Sequence, residues 1–135
     1  THVNGESVVG YFTAVDTQPV YLDVHLPAGK SAALPVTASQ TVLVYVYEGS
    51  VNVGVDAVVL QSQRLARLTD GDEVVIHHPA TLDEHAKEAR LLIFAAEPLG
   101  EPIVQYGPFV MNSEQEIEQA LQDYRSGVFG DKKLG

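Results

Sequence analysis

Apolar and polar residues alternate along much of the first hundred positions, a pattern typical of strands with one buried face. In residues 20–26 the even-numbered positions are Val or Leu, whereas the odd-numbered positions are Tyr, Asp and His. Two other runs, 41–47 and 89–96, are apolar at nearly every position. Runs of that kind indicate strands that are buried on both faces.

Turn residues separate the predicted strands. The pair Glu48-Gly49 predicts a tight turn that joins 41–47 to residues 50–54 as a hairpin. Further short strands are predicted at 8–13, 57–60, 65–68 and 73–77, and residues 79–88 are predicted as a loop. Many short strands without intervening helices favour an all-β sandwich or barrel, and a double-sheet jelly roll fits this spacing.

A helix is predicted at the end of the chain. Ser113 and Glu116 have the spacing of a capping box, and Gly127 stands where a left-handed C-terminal cap is expected. Between them, one apolar stripe has helical spacing and consists of Ile117, Ala120, Leu121 and Tyr124. The chain is therefore interpreted as one domain. It comprises a linker tail with a first strand (1–16), a barrel with an extended strap (17–112) and a helix (113–126).

The C-terminal residues carry a specific motif. Gly-Pro-Phe-Val-Met-Asn occupies 107–112, and Gly-Val-Phe-Gly follows the predicted helix at 127–130. Together with 19–29 and 45–49, these residues closely resemble the C-terminal half of the pirin family, whose members are two-domain cupin proteins. The resemblance implies a cupin-type jelly-roll barrel with one short C-terminal helix. It also implies that a complete protein is about twice as long and has an N-terminal cupin domain, which binds iron.

Cupin metal sites place a His-x-His pair and a downstream Glu between two glycines, and Gly29 and Gly49 have that separation. The histidine positions then fall on Pro35 and Thr37, and the carboxylate position falls on Val42. None of these side chains is a metal ligand of the usual kind. The sequence therefore predicts no metal and no catalytic residue in this chain, with iron in the absent N-terminal domain.

The remaining histidine of such a site comes from a second motif, which is harder to place. Counting from Gly71 puts it on Leu82, and anchoring on Pro79 puts it on Glu84, beside His85. Because His77 and His78 are adjacent, they point to opposite faces of a strand. We interpret the histidines as surface or hydrogen-bonded residues. An enzyme that holds a metal through His77, His78 or His85 in another geometry stays as an alternative.

Composition excludes several classes of function. The net charge of −10 opposes binding to nucleic acid. No cysteine is present, which is consistent with the cytoplasm, and no apolar run is long enough to cross a membrane. The first residue is Thr1 rather than Met, so we expect that a tag or a preceding domain has been removed.

The leading hypothesis is a structural role: a cupin domain without metal that supports an iron-bearing N-terminal domain of the same protein. The resemblance to the pirin family implies that the intact protein is a quercetin 2,3-dioxygenase or a redox-dependent regulator. Residues proposed to face the partner domain are Tyr106, Phe109, Met111, Ile117, Leu121 and Tyr124. In the alternative interpretation, the residues Tyr106, Phe109, Val110 and Met111 form a core that docks the helix on the barrel. If they do face a partner, the isolated half is expected to self-associate. The alternative is a stand-alone module that binds a small apolar ligand.

Overall fold

The computed structural model describes residues 16–69, 71–80 and 87–130, and the backbone of residues 2–3 and 6–7. In this part of the chain there are twelve strands and one helix. They belong to two compact units, Thr1–Pro98 and Leu99–Gly135. The strand predicted at 8–13 lies outside the described residues.

The first unit contains two four-stranded antiparallel sheets. Its strands are β1 (His2–Val3), β2 (Glu6–Ser7), β3 (Val20–Pro27), β4 (Ser31–Pro35), β5 (Thr41–Glu48), β6 (Ser50–Val53), β7 (Val58–Gln61), β8 (Arg64–Arg67), β9 (Glu73–His77) and β10 (Glu88–Ala96). The first sheet has the order β3-β10-β5-β8, and the second sheet has the order β4-β9-β6-β7. Strands β1 and β2 pair with each other in residues that were predicted as a linker tail.

The core lies between the two sheets, because one buried cluster includes residues of both. Val44 and Ile93 contribute from the first sheet, and Val51 and Ile76 contribute from the second. Each such side chain contributes about 1.5–3 kcal/mol when fully buried. The alternation predicted for 20–26 is confirmed, since the even-numbered residues of β3 are the less exposed ones. The all-β jelly-roll prediction is therefore confirmed.

The predicted hairpin of 41–47 with 50–54 is wrong. Strand β5 pairs with β10 and β8, whereas β6 pairs with β7 and β9, so the two strands belong to different sheets. Gly49 makes this crossing with φ of +76°. A Cβ at Gly49 would lie 3.2 Å from the Cα atom of Ala89, so the backbones approach each other closely there.

The prediction that β5 and β10 are buried on both faces is also wrong. In β5, Val42, Val44 and Val46 are buried, but the residues between them are only half-buried. Strand β10 follows the same alternation, and Phe94 is exposed. Both strands are apolar on each face, but only the inner face packs into the core. Strand β4 was not predicted, because its Ser-Ala-Ala-Leu-Pro sequence is short and has no β-branched residue.

The second unit is a small hairpin packed with a helix. Its elements are β11 (Val104–Tyr106), β12 (Phe109–Met111) and α1 (Glu114–Ser126). The predicted extended strap is wrong, since Gly107, with φ of +55°, reverses the chain and β11 pairs with β12. Both predicted helix caps are confirmed: Ser113 Oγ accepts from the Glu116 amide, and Gly127 is left-handed. This helix is not long enough to cross a membrane.

Candidate functional site

The three positions assigned to absent metal ligands lie in different environments. Pro35 is the exposed last residue of β4, and Thr37 is exposed in the following turn. Val42 is buried in the core on β5. They therefore provide no shared set of donor atoms that fits iron. Among residues 16–69, 71–80 and 87–130, no group of three His, Asp or Glu side chains could hold a metal ion. Leu82, Glu84 and His85 lie outside these ranges.

The adjacent histidines at the end of β9 face opposite sides. His77 Nδ1 lies 3.0 Å from the hydroxyl oxygen of Ser31, on the neighbouring strand. His78 is only 4% exposed, and its Nδ1 donates to the carbonyl oxygen of Leu26 at 3.0 Å. Since each ring is oriented by a different partner, the two imidazoles do not share a ligand position. The interpretation of these two residues as hydrogen-bonded histidines is confirmed.

His78 also fixes the turn that joins β3 to β4. Its amide donates to the carbonyl of Lys30 at 2.9 Å, and its carbonyl accepts from the amide of Gly29 at 2.9 Å. Gly29 has φ of +74°, which favours glycine at that position. His78 therefore makes hydrogen bonds to Leu26, before the turn, and to Gly29 and Lys30, within it.

A cavity of about 280 Å³ opens beside this turn. It lies between the edge strands β3 and β4, at one open edge of the space between the first and second sheets. Its inner wall consists of Leu22, Val24, Ala32, Leu34, Ile76 and Ile93. Lys30, Ser31 and His25 also line it, which gives an apolar cavity polar groups. The space between the two sheets is therefore open at this edge.

A polar cluster occupies one end of the outward face of the first sheet. Tyr47 donates its hydroxyl proton to Asp23 at 2.8 Å, and its oxygen lies 3.3 Å from His25 Nε2. The His25 ring lies between two carboxylates, with Nε2 3.5 Å from Asp23 and Nδ1 3.6 Å from Glu88. Arg90 joins the cluster through a 2.9 Å contact with Glu88. Three strands thus contribute to one network of charges and hydrogen bonds.

The network raises the pKa of two of its members, Tyr47 and Arg90. Partial burial raises the pKa of Tyr47, and the hydrogen bond to Asp23 raises it further, since it stabilises the neutral phenol. The hydrogen bond from Arg90 to Glu88 raises the pKa of the Arg90 guanidinium, and the charge of Glu48 adds to this effect. Tyr47 therefore stays neutral and Arg90 stays charged at physiological pH.

Apart from Arg67, which pairs with Leu43 on the edge strand β8, the rest of that outward face is largely apolar. Cross-strand pairing places its residues in two rows, Tyr21, Phe94 and Leu43 in one, and Leu92, Tyr45 and Leu65 in the next. We call these six residues the outer apolar face. Tyr21 and Leu65 are 63% and 59% exposed, Phe94 is 37% exposed, and the Tyr21 and Phe94 rings lie 5.0 Å apart. A sheet face of this kind, next to a charged cluster, is typical of an interaction surface.

Sequence reasoning missed the outer apolar face, although the signal was present. The apolar residues at alternate positions of 41–47 and 89–96 were interpreted as buried on both sides. Apolar residues on both faces of a strand indicate only that both faces favour contact with apolar groups. The pattern does not indicate whether the second face is covered by residues of this chain or by another partner.

The six residues predicted to face a partner lie in the second unit and have unequal exposure. Tyr106 and Tyr124 are exposed, whereas Ile117 is buried. Phe109, Met111 and Leu121 are half-buried. The Phe109 ring packs edge-on against Tyr124, with centroids 6.0 Å apart, and against Phe129 at 5.3 Å. Phe109 and Ile117 therefore contribute to the core of this unit, and the two tyrosines contribute to its surface.

Comparison with known proteins agrees with this architecture. Two antiparallel sheets around one core, with cupin structures among the similar folds, define a cupin domain. Residues 21–130 match the family model described as the pirin C-terminal cupin domain. The chain therefore belongs to the pirin family, and the predicted resemblance is confirmed.

Similar proteins carry two kinds of name. A Pseudomonas aeruginosa protein named "Putative quercetin 2,3-dioxygenase" is 49% identical over 121 residues, which cover 89% of this chain and 40% of that protein. Human Pirin is 34% identical over 116 residues, which cover 84% of this chain and 38% of Pirin. A crystal structure titled quercetin 2,3-dioxygenase, from Acinetobacter baumannii, has a TM-score of 0.72 at 32% identity and covers 87% of this chain and 38% of that one. The chain thus spans about two fifths of each of these relatives.

Proposed function

We propose that this cupin domain has a structural role, in which its outer apolar face packs against an N-terminal cupin domain of the same protein. The observation that carries the proposal is the outer apolar face itself. Six apolar side chains lie on the outward side of one sheet, and Tyr21, Leu65 and Phe94 are exposed. An antiparallel sheet with one solvated face normally has polar residues there.

We propose that the rest of the protein packs against the outer apolar face. The relatives are much longer than this chain, which accounts for only 38–40% of the two described above. Burying Tyr21, Leu65 and Phe94 against the rest of the protein would contribute about 1.5–3 kcal/mol for each fully buried side chain.

The polar cluster of Asp23, His25, Tyr47, Glu88 and Arg90 is proposed to set the orientation of that packing. Charged groups at the border of an apolar interface favour one register over others, because a wrong register places like charges together. The residues at Pro35, Thr37 and Val42 offer no ligands for iron. We therefore assign the iron, and any quercetin 2,3-dioxygenase or redox-dependent regulatory activity, to the intact protein.

Cysteine accessibility tests the proposal. Leu65→Cys is prepared both in this chain, which has no other cysteine, and in the full-length protein from the same reading frame. Labelling by a maleimide is followed by peptide mass spectrometry. In the full-length protein, we expect labelling at position 65 to be at least about tenfold slower than in this chain.

Val55→Cys is the matched control. Val55 is 94% exposed and lies in the turn between β6 and β7, in the second sheet. Its labelling rate should be the same in both proteins. Equal rates at position 65 in the short and full-length proteins would contradict an interface on the outer apolar face.

A further inference from the structure

We propose that the cavity between β3 and β4 binds a small apolar carboxylic acid, with its hydrocarbon chain among the core side chains and its carboxylate at Lys30. This site is separate from the outer apolar face, because none of the six residues of that face lines it. The proposal does not depend on the structural role described above.

The exposure of the inward-facing residues shows where the two sheets separate. On the central strands β10 and β9, the inward-facing Ile93 and Ile76 are at most 2% exposed. On the edge strands β3 and β4, the corresponding residues Leu22, Val24 and Ala32 are only half-buried. The core is therefore closed between the central strands and open between these edges. Apolar side chains that stay partly exposed at such an opening favour an apolar occupant over water.

Lys30 determines the chemistry at the mouth. It lies just before β4, two residues from Ala32 and four from Leu34, which both face inward. Lys30 also lines the cavity. Of the described residues that line the cavity, it is the one with a fixed positive charge at neutral pH. Lys30 is exposed at the rim of an apolar cavity, so its ammonium can reach the carboxylate of a molecule whose hydrocarbon part lies inside.

The mouth is also preorganised. The Lys30 carbonyl accepts from the His78 amide at 2.9 Å, and the Lys30 amide donates to the Pro27 carbonyl at 3.1 Å. The Lys30 backbone is thus fixed before any ligand binds, so that binding has to order only the Lys30 side chain. The volume of about 280 Å³ is just below the range of ligand pockets, which span about 300–1,000 Å³. The ligand is therefore small, and a medium-chain fatty acid is a suitable probe.

Octanoate and 1-octanol are the probes, and titration calorimetry on the 135-residue chain measures binding. The two probes have the same chain length, and only octanoate carries a charge. Lys30→Met should weaken octanoate binding by up to about fivefold, since exposed ion pairs contribute about 0.2–1 kcal/mol, and leave 1-octanol binding unchanged. Lys87→Met is the control, because it removes the same charge from a residue that does not line the cavity.

Ala32→Phe fills the cavity and should weaken both probes by more than about tenfold, with urea unfolding confirming that the variant is folded. If it does not fold, methyl NMR on the unmodified chain replaces it. Octanoate should then shift the methyl signals of Leu22 and Val24 but not those of Val55. The proposal is overturned if octanoate does not bind, if Lys87→Met weakens it as much as Lys30→Met, or if the shifts occur elsewhere.

Discussion

His78 Nδ1 donates a hydrogen bond of 3.0 Å to the carbonyl oxygen of Leu26, and so connects the end of β9 to the end of β3. These residues belong to different sheets and are 52 positions apart in sequence. His78 is the one polar residue among those found buried in the described part of the chain. Because a buried imidazole requires a partner, this bond makes the residue compatible with the core.

Replacing His78 with Ala should lower the free energy of unfolding by about 1–3 kcal/mol, since the Leu26 carbonyl loses its buried donor. His78→Asn should recover part of that loss, because the amide NH₂ can donate from a similar position. His77→Ala is the control and should cost less than about 1 kcal/mol, since its bond to Ser31 is solvent-exposed. Urea unfolding measures all three. Equal losses at 77 and 78 would contradict the role of His78.

Gly49→Ala should be more destabilising than Gly54→Ala. Both glycines have φ near +75°, so both substitutions cost about 1–2 kcal/mol of backbone strain. Only Gly49 would also bring its Cβ to 3.2 Å from a backbone atom of Ala89, whereas no atom lies within 4 Å of a Cβ at Gly54. The difference in urea unfolding midpoint between the two variants measures the cost of the close contact with Ala89, where the chain crosses between sheets. Identical midpoints would show that the backbone adjusts without cost.

Ser113→Ala should destabilise α1 by about 0.5–2 kcal/mol, because the Glu116 amide loses its acceptor. Ser113→Asp should keep most of the stability, since its carboxylate can accept the same bond. Amide hydrogen exchange over 114–120 measures the change locally. Exchange that is unchanged in Ser113→Ala would mean that the cap does not limit helix opening.

Tyr47 should make stability fall at high pH. Its pKa is raised in the folded protein, so the neutral phenol favours folding, and that contribution is complete below the unfolded value of 10.0. It is then lost as pH rises from 10 through the folded pKa. Urea unfolding from about pH 9 to pH 11 should therefore show a steeper loss in the unmodified chain than in Tyr47→Phe. Parallel curves for the two proteins would exclude Tyr47 as the cause.

The 135-residue chain should self-associate through its outer apolar face. Phe94→Ser should weaken association by about tenfold or more, since burial of a Phe side chain contributes about 1.5–3 kcal/mol. Val55→Ser removes an isolated apolar residue that is more exposed, and should have no effect. Sedimentation over a range of concentrations measures the equilibrium. A monomer at all concentrations would contradict this prediction.

Much of the local structure could be predicted because its causes are local. The helix was predicted with both caps, since Ser113, Glu116 and Gly127 act within a few residues of one another. The buried face of β3 was evident from alternation alone. Strand pairing was not local: the turn at Gly49 was interpreted as a hairpin, although it is a crossing between sheets. A single glycine permits either path, and the pairing of β5 with β10 decides between them.

The candidate sites show the same difference between features that depend on nearby residues and features that depend on strand pairing. The residues that fail to supply iron ligands were identified from glycine spacing, because that spacing is a property of the sequence. Neither the cavity at β3 and β4 nor the network around Tyr47 was predicted, since each combines residues from separate strands.

The sequence by itself therefore determined the family, the strand-rich composition and the capped helix. Only the tertiary structure decided which apolar faces are covered. Hydrophobic patterning records that a face favours burial, but its partner is chosen by strand pairing over long distances in sequence. For that reason, Val44 is fully buried and Phe94 is exposed, although the two lie on paired strands with similar sequences.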